Sequence, residues 1–232
     1  MMQAGDVYLW LADLDVAHEQ LPGLECHLSL LERAKARGFR FEHDARRFRT
    51  GRALLREILS SFVEEPASQL VIASHSGGKP FLPHHPAWHF NVSHCQNVAF
   101  FAVTQGGEIG VDIERVRRDV DIDALAPRLF CAQEQRLLQE NEEDAYALFW
   151  EIWTLKEAYL KGTGQGLSVP LPELDVASGP GRILSRNAQT GIWSCCDHWV
   201  LRSFLLPSNH RVSVARATER DNSMVRICHE AA

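Results

Sequence analysis

Residues 98–114 read VAFFAVTQGGEIGVDIE. Two apolar runs flank Gly106-Gly107, a pair suited to a tight primed turn, so the stretch predicts a β-hairpin. In its second run, GVDIE at 110–114, alternate side chains share a face. Asp112 and Glu114 therefore point one way, while Val111 and Ile113 point into a core. Two carboxylates on one face repel each other, and a divalent cation that accepts hard oxygen ligands removes that cost. A solvated outer face of an antiparallel strand explains the same spacing.

Upstream, VYLWLA at 7–12 alternates like an opening strand. Helical spacing follows over 28–37 and again over 44–63, with Asp44 as N-cap and Pro66 beyond the end. SHSGGKPFLPHHPAW at 74–88 is rich in turn residues and is expected to stay out of regular structure. HFNVSH at 89–94 reads as a strand. Downstream, helices are expected over 121–129, 133–139 and 144–161, the last stopped by Gly162, Gly164 and Gly166. Strands are expected near 174–177, 193–195, 200–204 and 211–215. A long helix precedes GGKPFLP in the first half and another precedes GQGLSVPLP in the second. Two α+β halves would explain that faint repeat.

The chain has 232 residues, 45% hydrophobic and 23% charged, which excludes bulk disorder and fibrous repeats. The net charge of −6 excludes a surface that coats nucleic acid, but it hides an asymmetry. Between Arg33 and Arg56 nine basic residues face only Glu42 and Asp44, so that segment carries +7 and the rest −13. No apolar run approaches the ~18 residues of a membrane span. The N-terminal stretch lacks a basic region and carries Asp6, Asp13 and Asp15, unlike a signal peptide. Six scattered cysteines without a CxxC pair predict reduced thiols in a cytoplasmic protein.

Three further stretches bear on chemistry. In WTLKEAYLK, 153–161, helical geometry puts Trp153, Glu157 and Lys161 on one face, with Lys156 beside Glu157. An ordinary surface Glu–Lys pair fits this equally. GGKP at 77–80 lets backbone approach a ligand, but Pro80 follows Lys79, so it is no Walker loop. Ser93-His94 ends a strand. Adjacent strand residues point to opposite faces and no GxSxG elbow is present, so this pair is not a hydrolase dyad. The His and Cys clusters lack metal-finger spacing.

In order, GKP at 78–80, FNVSH at 90–94, GVDIE at 110–114 and WTLKEAYLK at 153–161 resemble the Sfp-type (surfactin-type) 4′-phosphopantetheinyl transferases. The likeness covers roughly residues 28–175, including the basic stretch at 44–56. It implies an α+β fold of two similar halves forming a pseudo-dimer, divided here as 1–105 and 106–232, with coenzyme A between them. It implies transfer of the 4′-phosphopantetheine arm of coenzyme A to a serine of an apo carrier protein, releasing 3′,5′-ADP with Mg²⁺. By the same resemblance Asp112, Glu114 and Glu157 hold the metal, and Glu157 and Lys161 act in catalysis. Lys156 and His94 would contact the pyrophosphate, Lys79 and Ser93 the nucleotide end, and Lys35 and Arg47 the 3′-phosphate. The family has a lysine where Glu32 stands here. A monomer without nucleic-acid or membrane partners is expected. A non-catalytic coenzyme A-binding module is the alternative, and the complete acidic set Asp112, Glu114 and Glu157 argues against it. A metal-dependent phosphodiesterase lacks the expected His-rich ligand set.

Overall fold

The computed structural model describes residues 6–16, 20–179, 181–218 and 225–227. The first half opens with β1 (Val7–Asp13), followed by α1 (Leu21–Glu25), α2 (Leu30–Ala36) and α3 (Glu42–Val63). A two-residue ladder, β2 (Ala73–Ser74) with β3 (Pro80–Phe81), closes the GGKP turn, which the sequence placed outside regular structure. Then come β4 (Trp88–Cys95) and β5 (Val98–Gln105), after which β6 (Ile109–Arg115) opens the second half. The second half adds α4 (Ile122–Leu129), α5 (Ala132–Glu140), α6 (Ala145–Thr163), β7 (Leu174–Asp175), β8 (Leu184–Arg186), β9 (Trp193–Cys195), β10 (Trp199–Leu205) and β11 (His210–Ala217). A last strand, β12 (Val225–Ile227), returns to lie parallel to β1 in the first sheet.

The expected hairpin at Gly106-Gly107 does not form. β5 pairs with β1 and β4, whereas β6 pairs antiparallel with β11. The true hairpin is β4–β5, closed by Gln96-Asn97 with Gln96 at φ 56°. Gly106, at φ 86°, instead carries the chain from one sheet to the next. Both glycine pairs and polar pairs make tight turns, so local chemistry did not decide which partner each apolar run would take.

Strand alternation builds the layers. From β5, Ala99, Phe101 and Val103 pack with Leu54, Leu55, Ile58 and Leu59 of α3. The opposite side chains, Phe100 and Ala102, join Val7 and Leu9 against Ile109, Val111 and Ile113 of β6 and Val212 and Val214 of β11. The order β12-β1-β5-β4 thus lies over the order β10-β11-β6. The far side of the second sheet receives α6, whose Ile152, Leu155, Ala158 and Tyr159 share a core with Leu201 and Ala215. Each half therefore places one long helix on a sheet built mainly of antiparallel pairs.

α3 begins at Glu42 with Phe41 as its cap, not at Asp44. Asp44 lies in the first turn, where a carboxylate favours the helix dipole. The glycine turn between β2 and β3 meets the end of α6: a Cβ on Gly77 would stand 2.3 Å from the carbonyl oxygen of Gly164. No helix among the described residues is long and apolar enough to cross a membrane.

Candidate functional site

On β6 the face opposite Val111 and Ile113 carries Gly110, Asp112 and Glu114, and α6 lies across it. Gly110 makes this approach possible, since a Cβ there would stand 2.0 Å from the Ala158 carbonyl oxygen and 2.2 Å from the Gly162 nitrogen. With the helix seated so closely, Lys161 Nζ reaches Asp112 Oδ1 at 2.6 Å and Ser93 Oγ at 2.8 Å. The Ser93 hydroxyl donates to the same Asp112 Oδ1 at 2.8 Å. Asp112 is 3% exposed, and its Oδ2 is buried without a hydrogen-bond partner. Across the ladder Ser213 stands opposite Asp112 and bonds Thr154 of α6 at 2.7 Å, fixing helix to sheet.

Glu114 and Glu157 are both half-buried beside Asp112. Burial first, and then the Asp112 charge, push both carboxyls above their ordinary value of 4.5. Lys161 opposes the shift at each, and the two glutamates are near enough for Glu114 to raise Glu157 further. Three carboxylates, one ammonium and an orphaned buried carboxylate oxygen make a site that lacks positive charge. Such a donor set, all hard oxygen, fits Mg²⁺.

The other expected residues fall into three groups. His94 is exposed at the end of β4, facing away from buried Ser93. Lys35 is exposed on α2, with Nζ 5.2 Å from the Phe48 ring centre. Arg47 on α3 grips Asp15 through both carboxylate oxygens, at 2.8 and 2.7 Å. Lys79 lies in the seam between halves, bonded to Glu108 and to the Gly162 carbonyl. Burial lowers its ammonium pKa, while the neighbouring His89 and Lys79 bring Glu108 down to about 2. Of the basic segment, Arg52 and Arg56 close on Glu32, and Arg49 on Glu25 and Glu42, so much of the +7 is spent within the fold. Glu32, standing where the resemblance expects a lysine, is thus the anchor of α2 on α3.

Lys156 is a correction. Its side chain is completely buried, and its ammonium bonds Glu134, the Leu129 carbonyl at 3.1 Å and the Leu171 carbonyl at 2.9 Å. Helical numbering puts 156 next to 157, but a rotation of 100° per residue turns it into the core. Its partner Glu134 also accepts from the backbone N–H groups of Cys131 and Val176. Cys131, Glu134 and Asp175 hold ligand-type atoms within 4.8 Å of one another. Lys156 already supplies the cation there, and Asp175 is saturated by Ala177, Ser178 and the Ser178 hydroxyl. That trio is a structural knot.

Four contributors escaped the sequence reading: Asn91, Cys95, Glu108 and Glu134. Asn91 Oδ1 accepts from Val111 N–H at 3.1 Å across the seam. The Cys95 thiol faces the Glu114 carboxyl. Period-two alternation from Ser93 would have flagged both, whereas Glu108 and Glu134 carry no local signal.

Two stacked α+β halves, with a carboxylate cluster and a lysine at their seam, are what the family comparisons match. Residues 18–106 match the 4′-phosphopantetheinyl transferase N-terminal model, and residues 108–215 match the 4′-phosphopantetheinyl transferase superfamily model. The chain belongs to the 4′-phosphopantetheinyl transferase superfamily and is an enzyme of the Sfp type. It is 39% identical over 179 residues to the 4′-phosphopantetheinyl transferase HetI of a Nostoc species, covering 75% of each chain. It is 29% identical over 171 residues to the 4′-phosphopantetheinyl transferase Sfp of Bacillus subtilis, covering 73% of this chain and 75% of that one.

Proposed function

We propose that the seam site binds Mg²⁺ through Asp112, Glu114 and Glu157 and transfers the phosphopantetheine arm of coenzyme A to a serine of an apo carrier protein, acyl, peptidyl or aryl. The observation that carries the reading is a carboxylate group with only Lys161 to offset it: one buried oxygen of Asp112 has no partner, and two neighbouring carboxyls are pushed upward in pKa. When bound, the metal supplies Lewis-acid polarisation of the pyrophosphate and neutralises charge on the leaving phosphate.

The chain's own groups do the rest. Glu157, raised above the ordinary carboxylate range, is suited to accept the proton of the carrier serine. The serine oxygen then bonds to phosphorus as the bond to 3′,5′-ADP breaks. Lys161, 33% exposed, is free to turn its ammonium from Asp112 towards the transferring phosphoryl oxygens. The family resemblance gives the pyrophosphate contact to His94, exposed at the end of β4. Lys35, and Arg47 after exchanging Asp15 for phosphate, hold the 3′-phosphate, and the GGKP turn borders the nucleotide. The described cysteines are all unpaired, which supports a cytoplasmic, reduced protein. The two halves already cover each other's sheets, which supports a monomer.

The test is mass spectrometry of a panel of apo carriers incubated with the chain, coenzyme A and Mg²⁺. One carrier or more gains one phosphopantetheine, and the gain stops in EDTA. No gain on acyl, peptidyl and aryl carriers alike overturns the reading.

A further inference from the structure

We infer that strand β4 of the first half sets the metal-binding carboxylates of the second, with Ser93 as the positioning residue for Asp112. The inference rests on the Mg²⁺ reading above and extends it to a residue whose motif position suggested a nucleotide contact.

The argument begins with the seam. β4 and β6 run side by side without a backbone ladder: β4 pairs with β5, and β6 with β11. Side chains must therefore carry the junction. Three alternate residues of β4 do so. Asn91 accepts from the Val111 N–H, Ser93 donates to Asp112, and the Cys95 thiol faces Glu114. The period of two on one strand matches the period of two on the other, so one rigid edge meets both carboxylates of GVDIE.

At Asp112 the geometry is closed. Lys161 Nζ, Ser93 Oγ and Asp112 Oδ1 form a triangle with sides of 2.6, 2.8 and 2.8 Å. A lone ammonium contact would let the carboxylate turn about its terminal torsion, which is broad for Asp. The hydroxyl, itself 5% exposed and held by Lys161, assigns Oδ1 to the protein and leaves Oδ2 as the open acceptor. Without it, Lys161 can take Oδ2 as well and compete directly with a cation. Groups that orient a ligand from behind typically change metal affinity 10–100-fold.

The experiment titrates Mn²⁺ into the full chain and follows the free aquo ion by EPR. It compares wild type with Asp112→Asn, Ser93→Ala, Ser93→Cys and Ser93→Thr. Coenzyme A affinity in EDTA is measured on the same proteins. Ser93→Ala is expected to weaken Mn²⁺ about 10-fold, Ser93→Thr to restore it, and Ser93→Cys, a weaker donor, to fall between. Coenzyme A affinity in EDTA stays unchanged. If Asp112→Asn loses Mn²⁺ but the Ser93 series binds like wild type, the inference fails and the metal reading stands. If Ser93→Ala instead weakens coenzyme A in EDTA and spares Mn²⁺, Ser93 is a nucleotide contact and the inference is overturned. If Asp112→Asn binds Mn²⁺ like wild type, the metal reading falls and takes the inference with it. Should Ser93→Ala fail to fold, the Cys and Thr variants still decide.

Discussion

Gly110 lies so near Ala158 that a single added carbon would overlap the helix backbone, at 2.0 Å from the Ala158 carbonyl oxygen. That closeness lets α6 carry Glu157 and Lys161 over Asp112. Gly110→Ala meets main chain, not a flexible side-chain tip, so helix and strand must separate. The cost is expected at or beyond the top of the ~1–3 kcal/mol typical of overpacking. Urea unfolding of this variant against Gly23→Ala checks it. Gly23 has nothing within 4 Å of an added Cβ, and in a helix that change is neutral or stabilising by up to about 1 kcal/mol.

Glu157→Gln keeps the shape of the side chain and removes both the proton acceptor and one anionic ligand. Turnover on an apo carrier should drop below detection at any Mg²⁺ concentration, while coenzyme A still binds in EDTA. Lys161→Met should lose roughly 10²–10³-fold in kcat, the scale for one charge-stabilising donor. Near-wild-type turnover in either variant contradicts the assigned roles.

Lys156 should behave as a core residue. Lys156→Met strands Glu134 in the interior and is expected to cost about 3–5 kcal/mol, the scale for breaking a buried pair. Adding Glu134→Gln should recover part of that, because Gln still accepts from a backbone N–H. The KM for coenzyme A of folded protein should not move. A KM effect without a stability loss would return Lys156 to the pyrophosphate.

The acidic cluster also sets a pH dependence. Glu114 and Glu157 have folded-state pKa values raised above 4.5, so the folded state holds its protons more tightly than the unfolded chain. Their contribution to stability is present below 4.5 and is lost as pH rises through the raised values. On the proposed reading, Mg²⁺ binds the deprotonated form and repairs that loss. The rise in Tm on adding Mg²⁺ should therefore grow as pH rises above 4.5 through the raised values, and Glu157→Gln should flatten the trend. Thermal unfolding across that range, with and without Mg²⁺, measures it. A Mg²⁺-induced shift independent of pH would contradict the raised carboxyls.

Much of the site was legible because its groups are near neighbours under simple periods. Asp112 and Glu114 share a strand face two residues apart, and Glu157 and Lys161 share a helix face four apart. Most elements were found within two residues of their ends for the same reason. Ser93 was found on its motif but not in its contact, and Lys156 was misplaced because its flank position faces the core.

The sequence by itself determined the repeating periods, the acidic strand, the acidic-basic helix face and the family. Those depend on spacing within one element, where covalent geometry leaves few choices. Only the tertiary structure decided which face met which. It parted β5 from β6 and seated α6 on Gly110. It tied Lys156 to Glu134, 22 positions away, and Ser93 to Asp112, 19 away. Such pairings follow from the packing of whole layers, where burial and charge compensation are settled together and no short stretch of chain holds the information.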